Sequence, residues 1–354
     1  MEIAHLRILR LAAGTGLSLW VSQAVGWDLS FIAPVMTLFI LALPLPALKL
    51  KQGIMFLAAM TLSMYASLLL LPWLLDYAMV GLLLLVLSLY WSFYFTAKGG
   101  SPVLGTFITV GIALSTAVGS VSVDATLMLM HGLIMNAVIG IVFVWIAHAL
   151  LPDSMAGGFP GPGKPQDGAK PELAEARWSA FRSLVIVFPI AFWFMLSGAS
   201  TSYVPVMIKV ASMGQQATNE GARLAGRSLI MSTIFGGIGA IVGWNILRIV
   251  PTLSIYALLV VLAGLIFGRK IFQDKGLHAE AGTWSYAYLT MIVILAPAVM
   301  DTASGSSADM AFWSRLLMFA LATLYGVAAV YVVDAFRPAR AKDLVTRKTV
   351  TAEN

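Results

Sequence analysis

Apolar runs of about 17 to 25 residues recur from Ile8 to Val333, each long enough to cross a hydrocarbon core about 30 Å thick. A chain built this way has few folds open to it, because backbone groups in lipid must find their hydrogen bonds internally, in helices or closed barrels. Alternating strands of about ten residues are absent, which excludes a transmembrane β-barrel. Of the 354 residues, 60% are apolar and only 11% charged, well outside the usage of soluble domains. The sequence therefore predicts an all-α integral membrane protein.

About twelve spans are expected by length and hydropathy. They cover 8–25, 30–48, 53–75, 78–96, 103–118 and 125–150, then 181–196, 203–221, 228–247, 252–267, 284–299 and 312–333. The opening MEIAHLRILRLAAGTGLSLWVSQAV has the charged start and apolar run of a signal peptide. A second span follows at once and no cleavage region stands out, so it is expected to be retained as the first helix. With the N-terminus inside, Arg7, Arg10, Lys49, Lys51, Lys98, Arg227, Arg269 and Lys270 fall on the cytoplasmic side. Asp28, Asp76, Asp124, Asp301 and Asp309 fall on the other, with Arg248 and Arg315 as the two cations there. This bias predicts an N-in, C-in orientation.

The segment PDSMAGGFPGPGKPQDGAKPELAEA is rich in Pro, Gly and charge, and reads as a cytoplasmic linker. The expected organisation is a first six-helix half over 1–152, a linker over 153–176, a second six-helix half over 177–338 and a mobile polar tail over 339–354. Two matches suggest that the halves are copies. Phe31-Ile32-Ala33-Pro34-Val35-Met36 resembles Tyr203-Val204-Pro205-Val206-Met207, each opening the second span of its half, and GIVFVWIAHALLP resembles GVAAVYVVDAFRP at the two ends. An even number of spans per half puts both halves in the same orientation, with a pathway between them. A convergent bundle with an accidental Pro-Val-Met match is the alternative.

The opening Arg7-Ile8-Leu9-Arg10-Leu11-Ala12-Ala13-Gly14-Thr15, the GWDLSFIAP approach to Pro34, the cationic third-span entries at Lys51 and Arg227 and the two-half layout resemble the fusaric acid resistance, or aromatic acid exporter, superfamily. The resemblance spans nearly the whole chain through diffuse motifs. It implies a bacterial inner-membrane exporter of small aromatic or other weak acids, working with a periplasmic membrane fusion protein. Larger members carry a substantial cytoplasmic domain where this chain has its Pro/Gly linker, which implies a compact branch. No residue role can be carried over.

The eighth span supplies the candidate site. Lys209, Ser212, Gln216, Asn219 and Arg223 follow at steps of three or four and share one helical face, with Gln215 beside them. Such a stripe needs another helix or a wet cavity to face. Ser212 and Gly214 suggest a local irregularity, and Pro44 and Pro46 interrupt the matching span of the first half. Interrupted helices in corresponding positions point to a transport site. Two readings stay open for Lys209: an ammonium that binds an anionic substrate, or one that snorkels to the outer surface. Its first-half counterpart is Leu38, so the shared framework does not demand a charge.

Further candidates are weaker. Asp28, His131 and Asp301 compose a proton relay, against the plainer reading of solvated loop carboxylates and an interfacial histidine. Asn136 supports the site or simply bridges two helices. His148 and Asp334 occupy matching inner ends, and Trp27, Trp73, Trp178, Trp244 and Trp313 fit an aromatic belt. There is no cysteine, no Walker motif and no Gly-x-Ser-x-Gly, His-Glu-x-x-His or clustered metal-ligand pattern. No cofactor, metal, enzymatic activity or nucleic-acid partner is expected. The expected partners are a small organic anion, membrane lipids, a periplasmic fusion protein and a second copy of the chain. The leading reading is a proton-coupled exporter; the alternative is a non-transporting assembly or docking subunit of an envelope complex.

Overall fold

The computed structural model describes residues 2–152, 173–197, 204–219, 222–273, 276–303 and 308–336. The first helices are α1 (Ile3–Val25), α2 (Ile32–Leu41), α3 (Leu50–Leu68), α4 (Leu70–Asp76), α5 (Ala78–Ala97), α6 (Pro102–Gly119) and α7 (Val123–Leu150). Then follow α8 (Leu173–Leu196), α9 (Val204–Asn219), α10 (Ala222–Ile249), α11 (Leu253–Ile271), α12 (Ala281–Ala303) and α13 (Ala308–Ala335). A small antiparallel hairpin of β1 (Phe272–Gln273) and β2 (Gly276–Leu277) joins α11 to α12. The fold is all-α, and nine helical segments among the described residues are long and apolar enough to cross a membrane. It is a multi-pass membrane protein.

Each expected span lies on one helix or, at 53–75, on the pair α3 and α4, with several differences that have local causes. The stretch Leu50–Asp76 is one apolar segment that breaks at Leu69. Pro72 has no N–H for the Leu68 carbonyl, and that missing bond marks the break. The second span is much shorter than expected: α2 ends at Leu41, and 42–49 is not helical until Leu50. Pro44 removes the next helical donor and pushes the residue before it towards extended backbone. Conversely, α9 runs unbroken through Ser212 and Gly214, so the expected irregularity there is absent. At the far end of the linker segment, where the residues from Glu172 to Arg177 can start a helix, Leu173 to Ala176 form the first turn of α8. The remainder of the linker expectation, and the tail over 339–354, lie outside the described residues.

Packing puts α6 and α12 at the centre. Of their most apolar stretches 83% and 78% are buried, against 22% for Leu50–Asp76 on the periphery. Around them the contacts recur in pairs. Helix α1 packs on α2, α7 and α11 as α8 packs on α9, α13 and α5. Likewise α3 meets α6 as α10 meets α12, and α6 meets α9 as α12 meets α2. Close approach demands a missing side chain in places: a Cβ at Gly264 of α11 would stand 2.7 Å from the Ala12 Cα of α1.

Ion pairs join helix ends. Arg227 pairs with Glu280 at 3.1 Å, and Arg248 with Asp309 at 3.5 Å. Trp73 and Trp313 are exposed, as an aromatic belt requires. The other three tryptophans depart from that expectation, because their indole N–H groups brace the fold: Trp27 donates to Asn136, Trp178 to Asp334 and Trp244 to Asp309.

Candidate functional site

Helix α9 lies between the two central helices, in contact with both α6 and α12, and with α5, α8, α10 and α13 around the rest. Its sequence explains that position. It is short, nearly every described side chain is buried, and Val206, Met207, Ile208, Val210, Ala211 and Met213 fill the space between its polar residues.

Lys209 is 1% exposed, with its Nζ donating to Thr290 Oγ1 of α12 at 2.8 Å. It does not snorkel; its ammonium points into the bundle. Thr290 in turn donates to the Tyr286 carbonyl at 2.7 Å, so its lone pair is what it offers to the lysine. Among the described residues no carboxylate pairs with Lys209. Burying a charge costs several kcal/mol unless something compensates it, on the order of magnitude of a lost ion-pair partner.

Ser212 is fully buried, but its hydroxyl turns back on the Lys209 carbonyl at 2.6 Å. Gln215 faces a different neighbour. Its Nε2 reaches Thr109 Oγ1 of α6 at 3.5 Å, and Thr109 is hydrogen-bonded to Ser92 of α5 at 2.9 Å. Gly105 leaves room for this amide: a Cβ there would run into Thr96 Oγ1 and stand 2.9 Å from Gln215 Nε2. Gln215 Oε1 has no partner among the described residues, and neither amide atom of Gln216 has one, although Gln216 is 1% exposed. An unmade hydrogen bond in such a place costs about 1–3 kcal/mol per group.

The stripe is shorter than expected. Asn219 ends α9, and Arg223 belongs to α10 instead, so the face does not continue to it. The side chains of Asn219, Arg223 and Asp301 lie outside the described residues. Two members of the expected proton relay, His131 and Asp28, have described side chains. His131 is exposed and hydrogen-bonded to Tyr65 Oη at 2.9 Å, and Asp28 lies exposed in the turn between α1 and α2.

Asn136 is fully buried and works as a brace, not beside α9. It donates to the Asp28 and Gly132 carbonyls at 2.9 and 2.8 Å while accepting from Trp27 at 3.1 Å. The turn it holds contains Leu29 at φ 55°, a left-handed backbone unfavourable for a bulky residue. Asp334 is more than an interfacial carboxylate, since it accepts from Arg182 Nη1 at 3.0 Å and from Trp178 Nε1 at 2.9 Å. Arg182 also donates to the Ala217 carbonyl, and Ser179 to the Thr218 carbonyl at 2.6 Å. His148 Nδ1 is hydrogen-bonded to the Val144 carbonyl of its own helix at 2.9 Å.

Sequence reasoning missed Thr109 and Thr290, the hydroxyls that meet α9 from either side. A signal for them exists: Phe107-Ile108-Thr109 and Tyr288-Leu289-Thr290 are alike and occupy the fifth and eleventh spans. Residues 7–147 match a family described as "Protein of unknown function (DUF2955)". That stretch runs from α1 almost to the end of α7 and does not reach α9. No curated protein and no solved structure matches the chain.

Proposed function

We propose that this chain is a secondary exporter of small organic anions or aromatic weak acids in the bacterial inner membrane, driven by protons. The observation that carries the reading is Lys209, an ammonium sealed between helices, held by one hydroxyl and by no carboxylate among the described residues. A cation kept in that setting has its charge to offer to an anion, and the anion offsets the desolvation the lysine bears alone. The neighbouring amides of Gln215 and Gln216 add neutral hydrogen-bonding groups at the same helix.

The architecture proposed for it is twelve spans in two six-helix halves of the same orientation, with both termini cytoplasmic. Counting Leu50–Asp76 as one, the described helices supply twelve segments, and their paired packing supports the duplication. Bonds between helix ends support the assigned sides. Arg227 and Glu280 fall together inside, and Arg248, one of the two outside cations, finds Asp309 there. In this arrangement α9 sits where the halves meet, at the place alternating access requires.

No aspartate or glutamate is buried among the described residues, so the proposal assigns no side-chain relay to the proton. A periplasmic fusion protein is the partner the resemblance implies. The test is a susceptibility screen of a deletion strain against aromatic and aliphatic carboxylates. The expected outcome is raised sensitivity to at least one acid, restored by the wild-type chain, with efflux abolished by a proton uncoupler. A strain indifferent to every acid contradicts transport, and efflux that survives the uncoupler contradicts proton coupling.

A further inference from the structure

Resting on that reading of Lys209, the geometry points to a more specific ligand: an elongated monoanion whose far end carries a neutral hydrogen-bonding group. Three observations on α9 define it. First, Lys209 and Gln216 are seven residues apart, two helical turns, so they stand on nearly the same face with their Cα atoms separated by about 10 Å along the axis. Second, the group between them has no proton left to give: Ser212 shares that face, but its O–H is donated to the Lys209 carbonyl at 2.6 Å, and Met213 on the adjoining position is apolar. Third, both Nε2 and Oε1 of Gln216 are enclosed without a hydrogen-bond partner among the described residues.

Nothing among the described residues accounts for that third feature. At 1% exposure Gln216 could be a leucine at lower cost, since an enclosed amide with neither half paired forfeits water and gains nothing. The neighbouring Gln215 is half paired, its Nε2 reaching the hydroxyl of Thr109 while its Oε1 has no partner among the described residues; Gln216 has neither half paired there. Gln216 offers a donor and an acceptor together, which suits a terminal hydroxyl, carboxamide or similar group able to do both. The ligand is thus charged at one end, apolar along its middle and neutral but polar at the other. Its two polar ends are separated by a distance on the order of 10 Å. A short acid with both groups close together would reach one end of the site only.

The test is binding to the purified full-length chain in nanodiscs, by calorimetry, using linear carboxylates of graded length in pairs that differ only in an ω-hydroxyl or ω-methyl end. The wild type is expected to favour the ω-hydroxy acid about tenfold over its ω-methyl twin at one intermediate length, and to show no such preference for short acids. Gln216→Leu should remove the preference while keeping carboxylate binding. Lys209→Met should weaken both members of a pair alike. Binding that depends on Lys209 but shows no length optimum, or a preference that survives in Gln216→Leu and in Gln216→Met, overturns this inference and leaves the anion site standing. Such a result means that bound water fills the amide. Carboxylate binding that is absent, or indifferent to Lys209→Met, overturns the anion site and this inference with it.

Discussion

Lys209 stands, in the proposed duplication, where Leu38 places a hydrocarbon side chain, and both are buried. The site therefore depends on what α12 supplies opposite the lysine, and that is one hydroxyl. Thr290→Val keeps the shape and removes the acceptor, so the ammonium loses a charge-assisted bond of about 1.5–3 kcal/mol. A thermal unfolding series should show Val well below wild type and Thr290→Ser close to it; equal stability of Val and Ser would mean that Lys209 has another acceptor. Across α9, Gly105→Ala forces a methyl group against Thr96 and the Gln215 amide. Overpacking of that kind costs about 1–3 kcal/mol. The same assay checks it, and an unchanged midpoint would show that the amide has room to move.

Among the elements, α9 is tied down at its C-terminal end. Arg182, Ser179 and Ser183 of α8 grip the backbone and side chain of Ala217 and Thr218, and Asp334 of α13 anchors the arginine. Removing one partner of a buried pair strands the other, at a cost of about 3–5 kcal/mol. Asp334→Ala is therefore expected to lower membrane abundance sharply, and the double variant Arg182→Met with Asp334→Leu to restore part of it; an abundant Asp334→Ala protein would contradict the anchor. The helical segments themselves were legible, because apolar run length reports membrane crossing directly. The end of α2 was half legible: Pro44 was visible, but an apolar composition masked how early the helix stops. The polar face of α9 was read from its spacing, yet its partners were not. Thr109 and Thr290 lie about 80 to 110 residues away in sequence and meet α9 through tertiary packing, which helical periodicity cannot report.

For the whole molecule, sidedness is the property with the widest consequence. The chain has no cysteine, so single cysteines can be placed without background. Asp76→Cys and Asp124→Cys should react with a membrane-impermeant maleimide in intact spheroplasts, whereas Lys51→Cys and Lys270→Cys should react only after the membrane is opened or inverted. Labelling of all four from one side would break the span count. In the proposed architecture, two copies of one six-helix plan facing the same way leave α9 between the central helices, with a charge that only the second copy carries. The most direct measurement of that claim is counterflow of a labelled organic acid, chosen from the susceptibility screen, in proteoliposomes holding equal amounts of wild type and Lys209→Met. Wild type should accumulate the label and Lys209→Met should fall at least about tenfold, the factor set by losing roughly 1.4 kcal/mol of anion binding. Counterflow by Lys209→Met at the wild-type rate would contradict the account.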